Sequence, residues 1–181
     1  MPAIIRLALA KEAQILPSIE QSAAQAFRTI DELSWLAGAP PMNVERHSQI
    51  IEQSTCWVAV DAEDRPQGFL SAQRHGDDLH IYELSVRLAL QGQGWGRQLV
   101  NTAKEYARSK RLHRVTLTTF ASVPWNAPFY ARMGFQVIAG TSLDQRLAAI
   151  LTKEYMYGFA PGSRCAMFWP PASLRSSQKY V

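Results

Sequence analysis

No run of this 181-residue chain approaches the roughly 18 consecutive apolar residues of a membrane-crossing helix, so no membrane span is expected. Met1-Pro2-Ala3-Ile4-Ile5-Arg6 lacks a basic region followed by a long apolar run, and no signal peptide is expected either. Cysteine is scarce. Cys56 and Cys165 lie in apolar, strand-like runs and are read as buried, reduced residues of a cytoplasmic protein rather than as a disulfide. Charge of one sign is also in short supply: 19 Lys and Arg against 15 Asp and Glu leave only +4. Much of that excess sits in Lys104, Arg108, Lys110, Arg111 and Arg114, near the end of a helix whose negative terminus such cations complement. Basic and aromatic residues do not interleave, so nucleic-acid binding is the weakest functional class. Repeats, low-complexity tracts and clear linkers are missing too, which leaves one domain over 1–169 and a polar tail over 170–181.

What is present is an alternation of strand and helix patterns. Ile4–Leu9 reads as a first strand and Lys11–Phe27 as helical, the helix proper starting near Pro17. Gly38 and Pro40-Pro41 mark Leu33–Met42 as a loop, and Asn43 is a candidate N-cap for a helix through Gln53. Thr55–Val60, Gln67–Arg74 and Leu79–Val86 are strands joined by two short turns, the mark of an antiparallel meander. A helix from Gly94 to about Lys110 follows, then a strand over Arg114–Phe120 and a short helix over Trp125–Arg132 closed by Gly134. Phe135–Ala139, a helix within Leu143–Tyr155 and a return strand over Arg164–Trp169 complete an α/β chain with a mixed, mostly antiparallel sheet.

The densest chemical signal is Gln91-Gly92-Gln93-Gly94-Trp95-Gly96, between a strand and a helix. Alternating glycines there let backbone N–H groups approach a ligand, and the helix N-terminus adds its unpaired amides and positive dipole end. A phosphate-bearing ligand is implied. A Walker loop would continue Gly-Lys-Ser/Thr, whereas Gly96 is followed by Arg97 and Gln98; a dinucleotide fingerprint would need another glycine spacing, near the first strand.

The hexapeptide resembles the Q/R-x-x-G-x-G/A signature of the GCN5-related N-acetyltransferase (GNAT) superfamily. Glu83-Leu84-Ser85-Val86 resembles the strand leading into that loop, and Asn126-Ala127-Pro128-Phe129-Tyr130-Ala131-Arg132-Met133-Gly134-Phe135 resembles the family's N…A…FY…GF segment. The element order matches almost the whole chain. One departure stands out: the position seven residues before the tyrosine, commonly asparagine, is Val123, and Asn126 lies only four before it. Asn126 is therefore either a pantetheine contact or the N-cap of the short helix.

The resemblance implies acetyl transfer from acetyl-CoA to a primary amine of a small molecule, peptide or protein, by direct attack in a ternary complex, with no metal. Such a reaction needs an acceptor for the amine proton, N–H donors for an oxyanion and a proton donor for the departing thiolate. Tyr130 matches the family's general acid. Glu83 is the leading base, on a strand face with Leu79, Ile81 and Ser85, and His80 and Tyr82 are the reserves. Leu84, Ser85 and Val86 are expected along the pantetheine, Gln91, Gly92, Gln93, Gly94, Trp95 and Gly96 at the pyrophosphate, and Arg97 beside it. The family's first helical pair and last strands wall the acceptor, which nominates Phe27, Asp31, Glu32, Trp35 and the segment 143–159. A homodimer is in keeping with the family. The competing reading is a non-catalytic acyl-CoA-binding sensor or interaction module.

Overall fold

The computed structural model describes residues 3–171, so Pro170 and Pro171 are all of the proposed tail that falls within it. Seven strands form one sheet in the order β1-β2-β3-β4-β5-β7-β6: β1 Ile4–Leu7, β2 Cys56–Val60, β3 Pro66–His75, β4 Asp78–Val86, β5 Arg114–Phe120, β6 Gln136–Val137 and β7 Arg164–Trp169. Every pairing whose register is resolved is antiparallel: β1 with β2, β2 with β3, β5 with β7, and β6 with β7. The helices are α1 Leu16–Ala24, α2 Val44–Glu52, α3 Trp95–Ser109, α4 Ala127–Arg132 and α5 Gln145–Tyr157. This is the expected α/β architecture with a mostly antiparallel sheet.

Local chemistry explains most of the boundaries. Pro17 lies in the first turn of α1, where its missing N–H costs nothing. Asn43 caps α2 by accepting the Arg46 N–H at 2.8 Å, and Asp144 caps α5 by accepting that of Leu147 at 2.8 Å. Gly134, at φ +86°, ends α4 one residue beyond its C-cap Met133. Two expectations change. The stretch Asp31–Gly38 winds into 3-10 turns, closed by bonds such as Ala39 N–H to Leu36 C=O at 3.1 Å. The strand expected over Phe135–Ala139 shrinks to Gln136–Val137, because a further 3-10 turn begins at Gly140.

Two compact units divide the chain, one made of Met1–Gln73 with Ile81–Glu105, the other of Arg74–His80 with Tyr106–Val181. In the first, α1 and α2 lay Leu16, Ile19, Ile50 and Ile51 on Val58, Val60 and Phe69 of the sheet. Arg6 holds Glu12 through two hydrogen bonds of 2.8 and 3.0 Å, and Glu12 in turn accepts the Leu9 N–H, which fixes the chain's entry into α1. In the second, Leu147 and Leu151 of α5 pack on Ile138 and Ala166. Cys56 and Cys165 are both free thiols; burial pushes Cys56 up to about 11.

Candidate active site

Within the first unit the glycine loop has the geometry its composition implies. Gly92 and Gly94 both adopt positive φ, +75° and +87°, and nothing lies within 4 Å of where a side chain at either would begin. The first backbone bond of the helix runs from Gln98 N–H to Gly94 C=O at 3.1 Å. The amides of Trp95, Gly96 and Arg97 therefore precede the α-helical ladder and face its positive end. The two glutamines do something the sequence did not reveal. Gln91 Nε2 donates to the Val86 carbonyl at 3.0 Å and Gln93 Nε2 to that of Ala89 at 3.1 Å. Both residues are exposed, and their side-chain amides brace the local backbone. Trp95 is likewise buried, so that its amide rather than its indole is what the loop can present, whereas the Arg97 side chain is exposed.

Three hydrogen bonds brace this loop against α1. Arg87 Nη2 donates to Ser18 Oγ at 3.0 Å, Leu88 N–H to Ser22 Oγ at 3.2 Å, and Gln91 Nε2 also reaches the Ala23 carbonyl at 3.4 Å. Serines at i and i+4 on one helix face were the available signal. Close packing also positions β4: a Cβ at Gly68 of β3 would stand 3.0 Å from both the Ser85 carbonyl and Val86 Cγ2.

Glu83 lies half-buried on β4 and accepts the Ser85 hydroxyl at 2.7 Å, while Leu84 between them is half-buried and Val86 buried. On the same unit Glu20 of α1 accepts the Met42 N–H with both oxygens, at 3.2 and 3.1 Å. Burial first, and the Glu83 charge second, push the Glu20 carboxyl up to about 8 against that hydrogen bond. His47 of α2 is fully buried, edge-on to Phe69 at 5.2 Å, with Nε2 3.8 Å from Glu20 Oε2. Burial lowers His47 to about 4. At neutral pH this contact thus joins a neutral imidazole to a mostly protonated carboxyl. Glu20 was missed because nothing in a single helix shows which strand it will face.

The proposed acceptor residues of this unit occupy 3-10 turns, Gln25–Thr29 and Asp31–Gly38, which pack on each other. Phe27 is half-buried, Asp31 and Glu32 are exposed, and Trp35 is 42% exposed.

In the second unit Tyr130 is buried, in edge contact with Phe129 and Phe135 at 5.1 and 5.5 Å. Its carbonyl accepts the N–H groups of Met133 and Phe135, which locks the tight turn after α4. Asn126 occupies the N-cap position of α4 without a capping bond from its side chain. Its Oδ1 is buried and has no partner, so the N-cap alternative explains its place in the helix but not its side chain. His80, a reserve base, is buried and 2.9 Å from Thr116 Oγ1; burial holds it at about 3, which removes it from that role. Thr118 donates to Glu154 Oε1 at 2.6 Å, and Arg164 clasps the same carboxylate at 2.9 and 3.0 Å. This carboxylate on α5 also went unnoticed in the sequence. Cations near the end of α3 have partners of their own, Arg108 over the Trp169 ring at 4.7 Å and Arg114 on Asp78 at 2.9 Å.

Residues 19–135 match the acetyltransferase (GNAT) family, well over half the chain, and the chain belongs to that family. It is an acetyltransferase of this class, with acetyl-CoA as co-substrate. Solved structures share the fold. PaiA N-acetyltransferase of Thermoplasma acidophilum, in complex with coenzyme A, superposes with a TM-score of 0.68 at 15% identity, over 94% of this chain and 99% of its own. Rv2747 of Mycobacterium tuberculosis, also with CoA, gives 0.68 at 21% identity over 92% and 98%. The ribosomal-protein-S18-alanine N-acetyltransferase of Escherichia coli gives 0.67 at 15% identity over 99% of both chains. Among the described residues no cluster of His, Cys, Asp and Glu could hold a metal ion, and no helix is long and apolar enough to cross a membrane.

Proposed function

We propose that this chain is an N-acetyltransferase, transferring the acetyl group of acetyl-CoA to a primary amine by direct attack. The observation that carries the donor half is the Gly92–Gly94 loop. Its two left-handed glycines open space in front of the first amides of α3, and its glutamine side chains are turned onto its own backbone. Those amides would hold the pyrophosphate, with Arg97 adding charge. The backbone of Leu84 and Val86 would run along the pantetheine, and Asn126, whose buried Oδ1 has no partner, is the proposed contact of that arm. Acetyl-CoA supplies the activated acetyl thioester.

The remaining roles fall to side chains. Glu83, fixed by Ser85, takes the proton of the incoming ammonium. Tyr130 gives a proton to the departing thiolate. A cytoplasmic, homodimeric enzyme without a metal completes the reading. Thiol release from acetyl-CoA, followed over polyamines, amino acids, aminoglycosides and peptides, tests it. Release with at least one amine is expected. Tight CoA binding with no release on any acceptor would overturn it in favour of an acyl-CoA-binding module.

A further inference from the structure

We propose that Ser18 and Ser22 of α1 are positioning residues for the donor: by holding the Arg87 side chain and the Leu88 amide, they set in place the loop that receives the pyrophosphate. The proposal rests on the donor reading and deepens it, since it names what fixes that loop. A loop tip can be held by packing or by its root. Here the tip is not packed: nothing stands within 4 Å of a Cβ at Gly92 or Gly94, and residues 91–94 are all exposed. The glutamine bonds to the Val86 and Ala89 carbonyls tie the loop to its own strand and first turn. The position of the tip therefore depends on its root.

That root is anchored on one helix. The chain leaves the sheet at Arg87, whose N–H donates to the Gln67 carbonyl at 2.9 Å, and a 3-10 turn over Leu88–Leu90 follows. Among the described residues, the hydrogen bonds that tie positions 88–94 to an element other than the strand and helix they join both end on α1. Leu88 N–H reaches Ser22 Oγ at 3.2 Å and Gln91 Nε2 reaches the Ala23 carbonyl at 3.4 Å. Arg87 Nη2 adds a third, to Ser18 Oγ at 3.0 Å. The Ser18 hydroxyl is preset for this, because its proton goes to the Ile15 carbonyl at 2.9 Å and leaves a lone pair for the guanidinium. Ser18 and Ser22 stand four residues apart and so share one face of the helix.

The helix is a firm footing. Leu16 and Ile19 are fully buried in a core that includes Val58, Val60 and Phe69 of the sheet. A loop held on such a footing meets its ligand already ordered, so aligning its amides on a pyrophosphate costs less conformational entropy. Without the two hydroxyls the same amides are present, but the ligand itself must order them. The Arg87 charge stays in place when Ser18 is truncated, which separates the tie from the positive field around the loop.

The test is calorimetric binding of CoA to the full chain and its variants, each with its melting curve. Ser18→Ala combined with Ser22→Ala is expected to bind CoA about tenfold more weakly, having lost two bonds, one of them to a cation. Alanine is the better helix former, so α1 itself is not weakened by the change. Ser18→Thr combined with Ser22→Thr keeps both hydroxyls and restores the affinity. Ile19→Val thins the core beneath the same helix and lowers the melting temperature, yet leaves CoA affinity unchanged. An alanine pair that binds CoA as tightly as the unmodified chain, while Gly94→Glu does not, overturns the positioning role and keeps the donor reading. An Ile19→Val chain that loses as much affinity as the alanine pair also overturns it, because the serines would then act only through the stability of α1. If Gly94→Glu binds CoA normally, the donor reading falls and the positioning role falls with it.

Discussion

The glycine loop and the α1–α2 layer belong to the same compact unit and present opposite kinds of chemistry. The loop offers backbone: two left-handed glycines and the first amides of α3, with glutamine side chains bonded to neighbouring carbonyls. The layer offers side chains: Glu20 from α1, His47 from α2 and Glu83 on the neighbouring strand β4. A backbone site is fixed by local conformation and suits an invariant ligand such as a pyrophosphate. A side-chain site is assembled from distant positions and can change its acceptor by changing one residue. The serines of α1 couple the two, since Ser18 and Ser22 carry bonds from Arg87 and Leu88.

The sharpest way to separate the two regions is Glu83→Gln, which removes the proposed base and leaves the loop untouched. We expect kcat to fall about a hundredfold or more with acetyl-CoA affinity unchanged, measured by thiol release and calorimetry. A comparable loss of acetyl-CoA affinity would mean that the regions are not separable.

A smaller effect tests the layer through pH. An unfolded imidazole titrates near ~6.5, whereas His47 is held at about 4 in the folded chain. Below ~6.5 the unfolded chain takes up the proton more readily, so this contribution is fully present above that pH and is lost as pH falls toward 4. About 3 kcal/mol of stability should disappear across that window, and His47→Leu should remove that share of the dependence in urea melts at each pH. His80 adds a dependence of the same sign from the other unit. Unchanged acid sensitivity in His47→Leu would show that His47 is not the group responsible.

The smallest effect concerns the brace. Gln91→Ala removes the bonds to the Val86 and Ala23 carbonyls and should raise the acetyl-CoA KM a few-fold, about 1 kcal/mol or less, without altering the acceptor KM. An equal rise in both would argue that the loop and α1 move together.

The same contrast governs what could be read from sequence. The loop, the Asn43 cap and the Gly134 stop are contiguous signals in which residue type and backbone conformation correspond directly. The 3-10 winding of Asp31–Gly38 was hidden because Gly38 and Pro40-Pro41 are breakers for an α-helix and do not preclude i+3 turns. His47 stands at helical spacing from Ile50 and Ile51, so its inward position follows from the sequence, but its partner does not. Glu20 shares no sequence neighbourhood with His47 or Glu83, and only packing of α1 on α2 and the sheet brings them together. Glu154 was missed for the same reason, being tied to Thr118 and Arg164 across α5 and two strands.

Everything proposed for the donor depends on the Gly92–Gly94 backbone gripping it. Calorimetric binding of acetyl-CoA to the unmodified chain and to Gly94→Glu decides this. The added side chain meets open space within the protein, so its clash and its charge fall on the ligand, while the +87° φ costs the fold about 1 kcal/mol. We predict a folded protein, shown by its melting curve, that has lost acetyl-CoA affinity about a hundredfold or more. A folded Gly94→Glu that binds acetyl-CoA as tightly as the unmodified chain would show that the loop does not hold the donor.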